Sequence, residues 1–195
     1  CNTCELVDRP VAPPVREPDG ARERDSDAMP AATQPVAPAG PIPLLVVGLG
    51  NPEPQYGETP HNLGHRVVER LAERVGAAWR PVPEAQVAAF EWHGLTVWLV
   101  KILKPINLSG GVLHHLADEA GVSASDCILV FDDMDLPVGT VRTRLRGTDG
   151  GHRGVRSVLE AFQTDRVRRV KVGARRPEDR GSLRDAVLAP FTSAE

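Results

Sequence analysis

Two polar residues, Asn51 and His61, flank a loop rich in chain breakers, and their side chains could serve the same reaction. Asn51 follows Leu44-Leu45-Val46-Val47-Gly48-Leu49-Gly50, and His61 precedes Asn62-Leu63-Gly64-His65. A side-chain amide offers a donor and an acceptor together. A neutral imidazole can take a proton from water. Three further stretches carry usable groups. Asn107 and Ser109 lie in Lys104-Pro105-Ile106-Asn107-Leu108-Ser109-Gly110, where an amide offers a donor and an acceptor together. Asp132, Asp133 and Asp135 could ligate a cation, although no neighbouring motif supplies the remaining ligands. Gly147, Gly150, Gly151 and Gly154 make a turn around His152 and Arg153 that could hold an anion at a helix amino terminus. It lacks Gly-Lys-Ser/Thr and is not a P-loop. Each stretch also has a plainer reading. Asn51 serves equally as a turn residue, His61 as a polar residue opening a helix, and Asn107 or Ser109 as a helix cap.

The elements around these residues follow from apolar spacing. Leu44–Val47 is a short apolar run ended by glycine, which reads as a buried strand. Pro52, Pro54, Gly57 and Pro60 then exclude helix. Leu63, Val67, Val68, Leu71 and Val75 form one stripe at helical spacing. Asn51 therefore sits at the carboxyl end of a strand, where open α/β sheets place their sites. His61 sits at a helix amino end, whose partial positive charge favours neutral imidazole over imidazolium. Further along, Gln86–Trp92 and Leu95–Ile102 read as two strands around His93-Gly94. Leu108–Ala120 reads as a helix with Leu113, Leu116, Ala117 and Ala120 inside, and Cys127–Phe131 as a strand covered on both faces. Val141–Leu145 is a further strand, Val155, Val158, Leu159 and Phe162 mark a helix, and Val170 and Val172 mark a last strand. Such alternation implies an α/β fold: a single three-layer α/β/α domain over a twisted central sheet, which the hairpin makes mixed.

Composition sets the boundaries. The chain has 195 residues and a formal net charge of −3, enough length for one α/β domain. Residues 1–43 hold nine of the 18 prolines and no apolar periodicity, so they read as a disordered tail before a domain at 44–195. Between Arg142 and Arg184 there are 13 basic residues against five acidic ones. That excess reads either as a phosphate-binding face or as a solvated helix face. No run approaches the roughly 20 apolar residues that span a bilayer, and no secretory signal is visible. Three cysteines make no disulfide framework, and Cys1-x-x-Cys4 lacks the second pair of a zinc site. Cys127, inside an apolar run, reads as a buried structural thiol. Together these features fit a cytoplasmic protein.

The stretch GLGNPEPQYGETPHNLG resembles the opening signature of bacterial peptidyl-tRNA hydrolases, G-L-G-N-P-x-x-x-Y followed by T-R-H-N-x-G. Gly48, Leu49, Gly50, Asn51, Pro52, Tyr56, Thr59, His61, Asn62 and Gly64 match it, and Pro60 replaces the usual Arg. Asn107 and Ser109 match that family's P-x-x-M-N-x-S-G segment, with Ile106 for Met. Asp132-Asp133-Met134-Asp135-Leu136-Pro137 is similar to its D-[DE]-L-D-L-P. Gly147–Gly154 is similar to its G-x-x-G-G-H-N-G, with Arg153 for Asn, and Val172-Gly173-Ala174-Arg175 replaces a G-[IV]-G ending. The resemblance covers Leu44 to Phe191, and the family continues into a carboxyl-terminal helix, so a domain without that helix is expected.

The resemblance implies hydrolysis of the ester between a peptide and tRNA, which recycles tRNA in translation, by a monomer without metal or organic cofactor. It implies His61 as base, Asp132 as the acid that orients it, and Asn51 as the oxyanion donor. It implies that Tyr56, Asn107, His152 and Arg153 meet the substrate, and that Arg144 and Lys171 lie near positions gripping tRNA phosphate. Two alternatives stand beside it: a non-catalytic RNA-binding relative of the same fold, and a small-ester hydrolase that ignores RNA.

Overall fold

The structure is a computed structural model and describes residues 43–52 and 57–176. The tail expected to be disordered, Tyr56 and the carboxyl-terminal stretch expected to lack the family's last helix lie outside the described residues. Strand β1 (Leu44–Gly48) leads through a 3-10 turn (Pro60–Asn62) into α1 (Leu63–Val75). Strands β2 (Arg80–Val82), β3 (Ala85–Trp92) and β4 (Leu95–Ile102) follow. A second 3-10 turn (Ile106–Leu108) opens α2 (Ser109–Ala120). Then come β5 (Cys127–Pro137), β6 (Val141–Arg144), α3 (Arg153–Phe162) and β7 (Arg168–Arg175).

The strands form one seven-stranded sheet in the order β2-β3-β4-β1-β5-β7-β6, with β1 at its centre. β1 runs parallel to β4 and β5, and β5 parallel to β7. The β2–β3, β3–β4 and β6–β7 pairs are antiparallel, so the sheet is mixed.

Alternation along β1 sends side chains to two cores. Leu45 and Val47 join Val100, Ile102, Leu129 and the inner faces of α2 and α3. Val46 packs with Leu99, Val68 and Ala72 on the α1 side. This makes the three layers, and each fully buried Leu or Val contributes about 1.5–3 kcal/mol. Gly64 brings α1 close: a Cβ there would lie 2.3 Å from both Leu49 O and Val130 O. The first turn of α1 therefore rests directly on the end of β1 and on β5 at Val130.

Two elements depart from expectation. β5 does not stop at Phe131 but runs to Pro137, so the acid run lies inside a strand. Asp132 and Asp133 pair with Val172 and Gly173 of β7, and successive residues face opposite sides. Their charges are met by partners from other elements, which local pattern does not reveal. β2 was not expected at all. It contains Pro81, which has no ladder donor, and it is tolerated because β2 is an edge strand.

Cys127 is buried, and that burial, with the Asp126 charge, pushes its thiol up to about 12. A group so hard to ionise is an inert packing residue.

His65, on α1, is only 5 % exposed, and its Nε2 has no hydrogen-bond partner among the described residues. Burial first, then the Lys101 charge, lowers its pKa from 6.5 to about 4, against a hydrogen bond to the Ile102 backbone. The unfolded chain thus binds the proton more readily. Stability attributable to His65 is intact above about 6.5 and declines as pH falls from there to about 4. The loss is on the order of 3 kcal/mol. His65→Leu should therefore flatten the fall in melting temperature between neutral and acid pH. Equal acid sensitivity in both proteins would mean that other groups set it.

Candidate active site

Asn51 leaves the end of β1 and is held on three sides. Its N–H donates to Asn62 Oδ1 at 2.8 Å, and its carbonyl accepts from Asn62 Nδ2 at 2.9 Å. Its Oδ1 accepts from Ile106 N at 2.9 Å, in the turn before α2. A backbone N–H at Oδ1 fixes which way the amide faces. Nδ2 is left as a donor with no hydrogen-bond partner among the described residues. His61 projects from the 3-10 turn that opens α1, closed by Asn62 N donating to Thr59 O at 3.0 Å.

Asp132 joins this region to α3. Its Oδ1 lies 3.1 Å from His61 Nδ1 and 3.1 Å from His152 Nε2. His152 is the N-cap of α3, and its Nδ1 accepts from Val155 N at 3.2 Å. The proton of His152 therefore sits on Nε2 and is donated to the carboxylate. His61 likewise donates Nδ1–H, which leaves its Nε2 lone pair free to accept a proton. The two rings stand 5.1 Å apart at 55°. Burial alone would raise the Asp132 pKa, but the hydrogen bonds from His152 and His61 outweigh it. They hold the carboxyl well below the usual carboxylate range, so this buried group is ionised and orients both rings.

The ligand-type atoms of His61, Asp132 and His152 all lie within 4.8 Å of one another, a spacing that metal sites also show. Metal binding at His152 Nε2 would need its proton moved to Nδ1, where Val155 N already donates. The arrangement favours a hydrogen-bonded relay over a ligand set.

The family model of peptidyl-tRNA hydrolases matches residues 45–195. The chain belongs to the peptidyl-tRNA hydrolase family. It is 41% identical over 153 residues to the peptidyl-tRNA hydrolase of Rhodococcus erythropolis (strain PR4 / NBRC 100887), covering 77% of this chain and 80% of that one. It is 35% identical over 150 residues to that of Sulfurihydrogenibium sp. (strain YO3AOP1), covering 77% and 79%. Its fold matches the crystal structure of peptidyl-tRNA hydrolase from Acinetobacter baumannii with a TM-score of 0.73, at 25% identity over 81% of each chain.

In this member of the peptidyl-tRNA hydrolase family, the other expected residues are placed unevenly. Asn107 is exposed beside the Asn51 anchor, and its amide makes no hydrogen bond among the described residues. Ser109 is buried and donates Oγ–H to Ile106 O at 2.8 Å, bracing the turn; no side chain caps α2. Arg153 is the first residue of α3, exposed, with no hydrogen bond or ion pair among the described residues. Arg144 is exposed on β6 and donates to Thr143 O. Lys171 is tied to Asp133 at 2.8 Å, so its charge is already partly answered.

The basic stretch is narrower than its composition suggests. Arg169 is 2 % exposed, and its guanidinium donates to Thr148 O at 2.7 Å and Gly147 O at 2.9 Å. It also reaches Val167 O at 3.3 Å and Asp165 O at 3.4 Å. It staples the glycine-rich turn to β7 and is unavailable to a ligand. Arg156 pairs with Asp149 at 2.9 Å. Arg142, Arg144, Arg146, Arg153, Arg166, Arg168 and Arg175 remain exposed.

Asn62 was not singled out by sequence reasoning as a site residue. An Asn before a helix ordinarily reads as its cap, and only its two bonds to Asn51 reveal another task.

Proposed function

We propose that this chain hydrolyses the ester bond between the peptide, or an N-blocked amino acid, and the 3′ ribose of tRNA, and so returns tRNA to translation. The observation that carries this reading is the His61–Asp132 pair, set beside an Asn51 amide whose Nδ2 is left to donate. His61 Nε2 takes a proton from water, and the hydroxide attacks the ester carbonyl. Asn51 Nδ2 donates to the oxyanion, a contact worth about 2.7–4 kcal/mol per donor in other enzymes. Collapse expels the ribose oxygen, which takes the proton back from His61. Asp132 keeps Nδ1 protonated and the ring in place, and His152 donates to the same Asp132 oxygen. The route needs neither a metal ion nor an organic cofactor.

Asn107 and Arg153, both exposed beside these groups, are read as contacts to the peptide and the tRNA end. The connected His61–Asp132 pair weighs against a non-catalytic RNA-binding relative. Residues 44–195 form the catalytic unit in this reading, acting as a monomer in the cytoplasm; no helix among the described residues is long and apolar enough to cross a membrane. The deciding experiment is incubation with N-blocked aminoacyl-tRNA at neutral pH, scoring release of the blocked amino acid. No release overturns the proposal, and hydrolysis of a small ester that ignores competitor tRNA makes the chain a general esterase.

The exposed arginines of β6 and its flanks would hold tRNA by phosphates, which position the substrate without reading sequence. Affinity for tRNA should then fall steeply with salt, with a log–log slope of about −0.7 to −0.9 per phosphate contact. Titrations between about 50 and 200 mM salt that show constant affinity would make this edge mere solvated surface.

A further inference from the structure

We infer that Asn62 is a positioning residue for this reaction: its side chain fixes where the Asn51 amide stands relative to His61. The inference rests on the hydrolase reading above. Asn62 occupies the N-cap position of α1, where an Asn side chain ordinarily accepts from the helix's own first N–H groups. Here it makes no such bond. The residue is 5 % exposed, and both atoms of its amide are turned onto the main chain of Asn51, 11 residues earlier. Oδ1 takes the Asn51 N–H and Nδ2 gives to the Asn51 carbonyl.

Those two backbone groups need the clamp. Asn51 lies past the end of β1 and has no ladder partner, so its N–H and C=O would otherwise turn to water or to nothing. The fit is close. A Cβ at Gly50 would lie 3.0 Å from Asn62 Oδ1 and 2.7 Å from His65 Cγ, so the chain passes here only without a side chain.

Geometry makes the clamp functional as well as structural. Asn62 is peptide-bonded to His61, and both belong to one 3-10 turn. The base and the clamp are therefore one rigid unit, and the clamp grips the residue that carries the oxyanion donor. Ile106 N holds the same residue by Oδ1. Asn51 Nδ2 is thus aimed by two anchors, and the Asn62 anchor alone is tied to the base. The chemistry also requires an amide, because an ionised carboxylate can accept from Asn51 N but cannot donate to Asn51 O.

The test is a double-mutant cycle on the full chain with N-blocked aminoacyl-tRNA. N62A should lower kcat by about 10²-fold, the scale of a misplacement near 1 Å, and change KM much less. N62D, which keeps the shape, should lose most of the same activity, and it stands in if N62A folds poorly. Both are compared at temperatures well below their own Tm, so that a fall in the folded fraction is not read as a fall in kcat. In an N51A background, N62A should add little, because the group it aims is gone. Independent losses that multiply in the double variant would overturn the inference. So would an N62A or N62D protein that melts lower but turns over normally when folded. If N51A alone leaves kcat unchanged, it is the hydrolase role of Asn51 that fails, and that single variant shows it before Asn62 is touched.

Discussion

His61→Ala should abolish hydrolysis of N-blocked aminoacyl-tRNA, by about 10²–10⁴-fold, and leave tRNA binding in place. The loss follows from geometry. His61 is the imidazole whose Nδ1 is occupied by Asp132 and whose Nε2 lone pair remains open to water. His152 is not a substitute, because its Nδ1 accepts from Val155 N and its Nε2 proton is committed to the same carboxylate. Binding should persist because the phosphate-holding residues in this reading are arginines on β6, α3 and the approach to β7. The check is single-turnover kinetics beside a tRNA titration. Turnover within about tenfold of the parent sinks the base assignment. Loss of binding with turnover would mean that the ring also helps seat the substrate.

Asp132→Asn should be as damaging and for a different reason. Asn keeps the volume but loses the charge that favours both imidazole N–H donors. One amide oxygen still accepts, yet the ring of His61 is no longer held in the tautomer that leaves Nε2 as base. In Ser-His-Asp triads the comparable change lowers kcat about 10⁴-fold through the wrong tautomer, and a similar loss is expected here with the backbone intact. The measurement is kcat across pH together with Tm. A kcat within about tenfold of the parent would show that Asp132 is structural only.

The acid limb of stability separates Asp132 from His65. A carboxyl held below its ordinary value of 3.8 contributes stability that is full above that pH and is lost only as pH falls below it. His65 acts earlier, between about 6.5 and about 4. Weakening near pH 5 therefore points to His65, whereas weakening below pH 4 belongs to the carboxyls held low, Asp132 together with Asp126 and Asp149.

Much of the scaffold was legible in the chain itself. α1 runs Leu63–Val75 as its apolar stripe implies, because helical spacing encodes the buried face and prolines mark where helix cannot continue. α2 and α3 follow from helical spacing too, and β3 and β4 from their β-branched and aromatic residues around His93-Gly94; the ends of β3, β4 and α2 fall within a residue of those expected. Asn51 and His61 stand at a strand end and a helix opening for the same local reason.

Only the tertiary structure decided what these residues touch. His61 and Asp132 are 71 residues apart in sequence, and His152 and Asp132 are 20 apart. They meet because β5 lies beside β1 and its parallel neighbour β7, an order that local spacing does not contain. The same order carries β5 on to Pro137, since a strand ends where its partner ends and not where its hydrophobicity does. Arg169 looks like its neighbours in composition, yet packing turns it inward onto four carbonyls. Asn62 looks like a helix cap, yet the close approach of α1 to β1 offers it the unpaired backbone of Asn51. Periodicity is a property of neighbours along the chain. A shared proton or a buried charge is a property of neighbours in space.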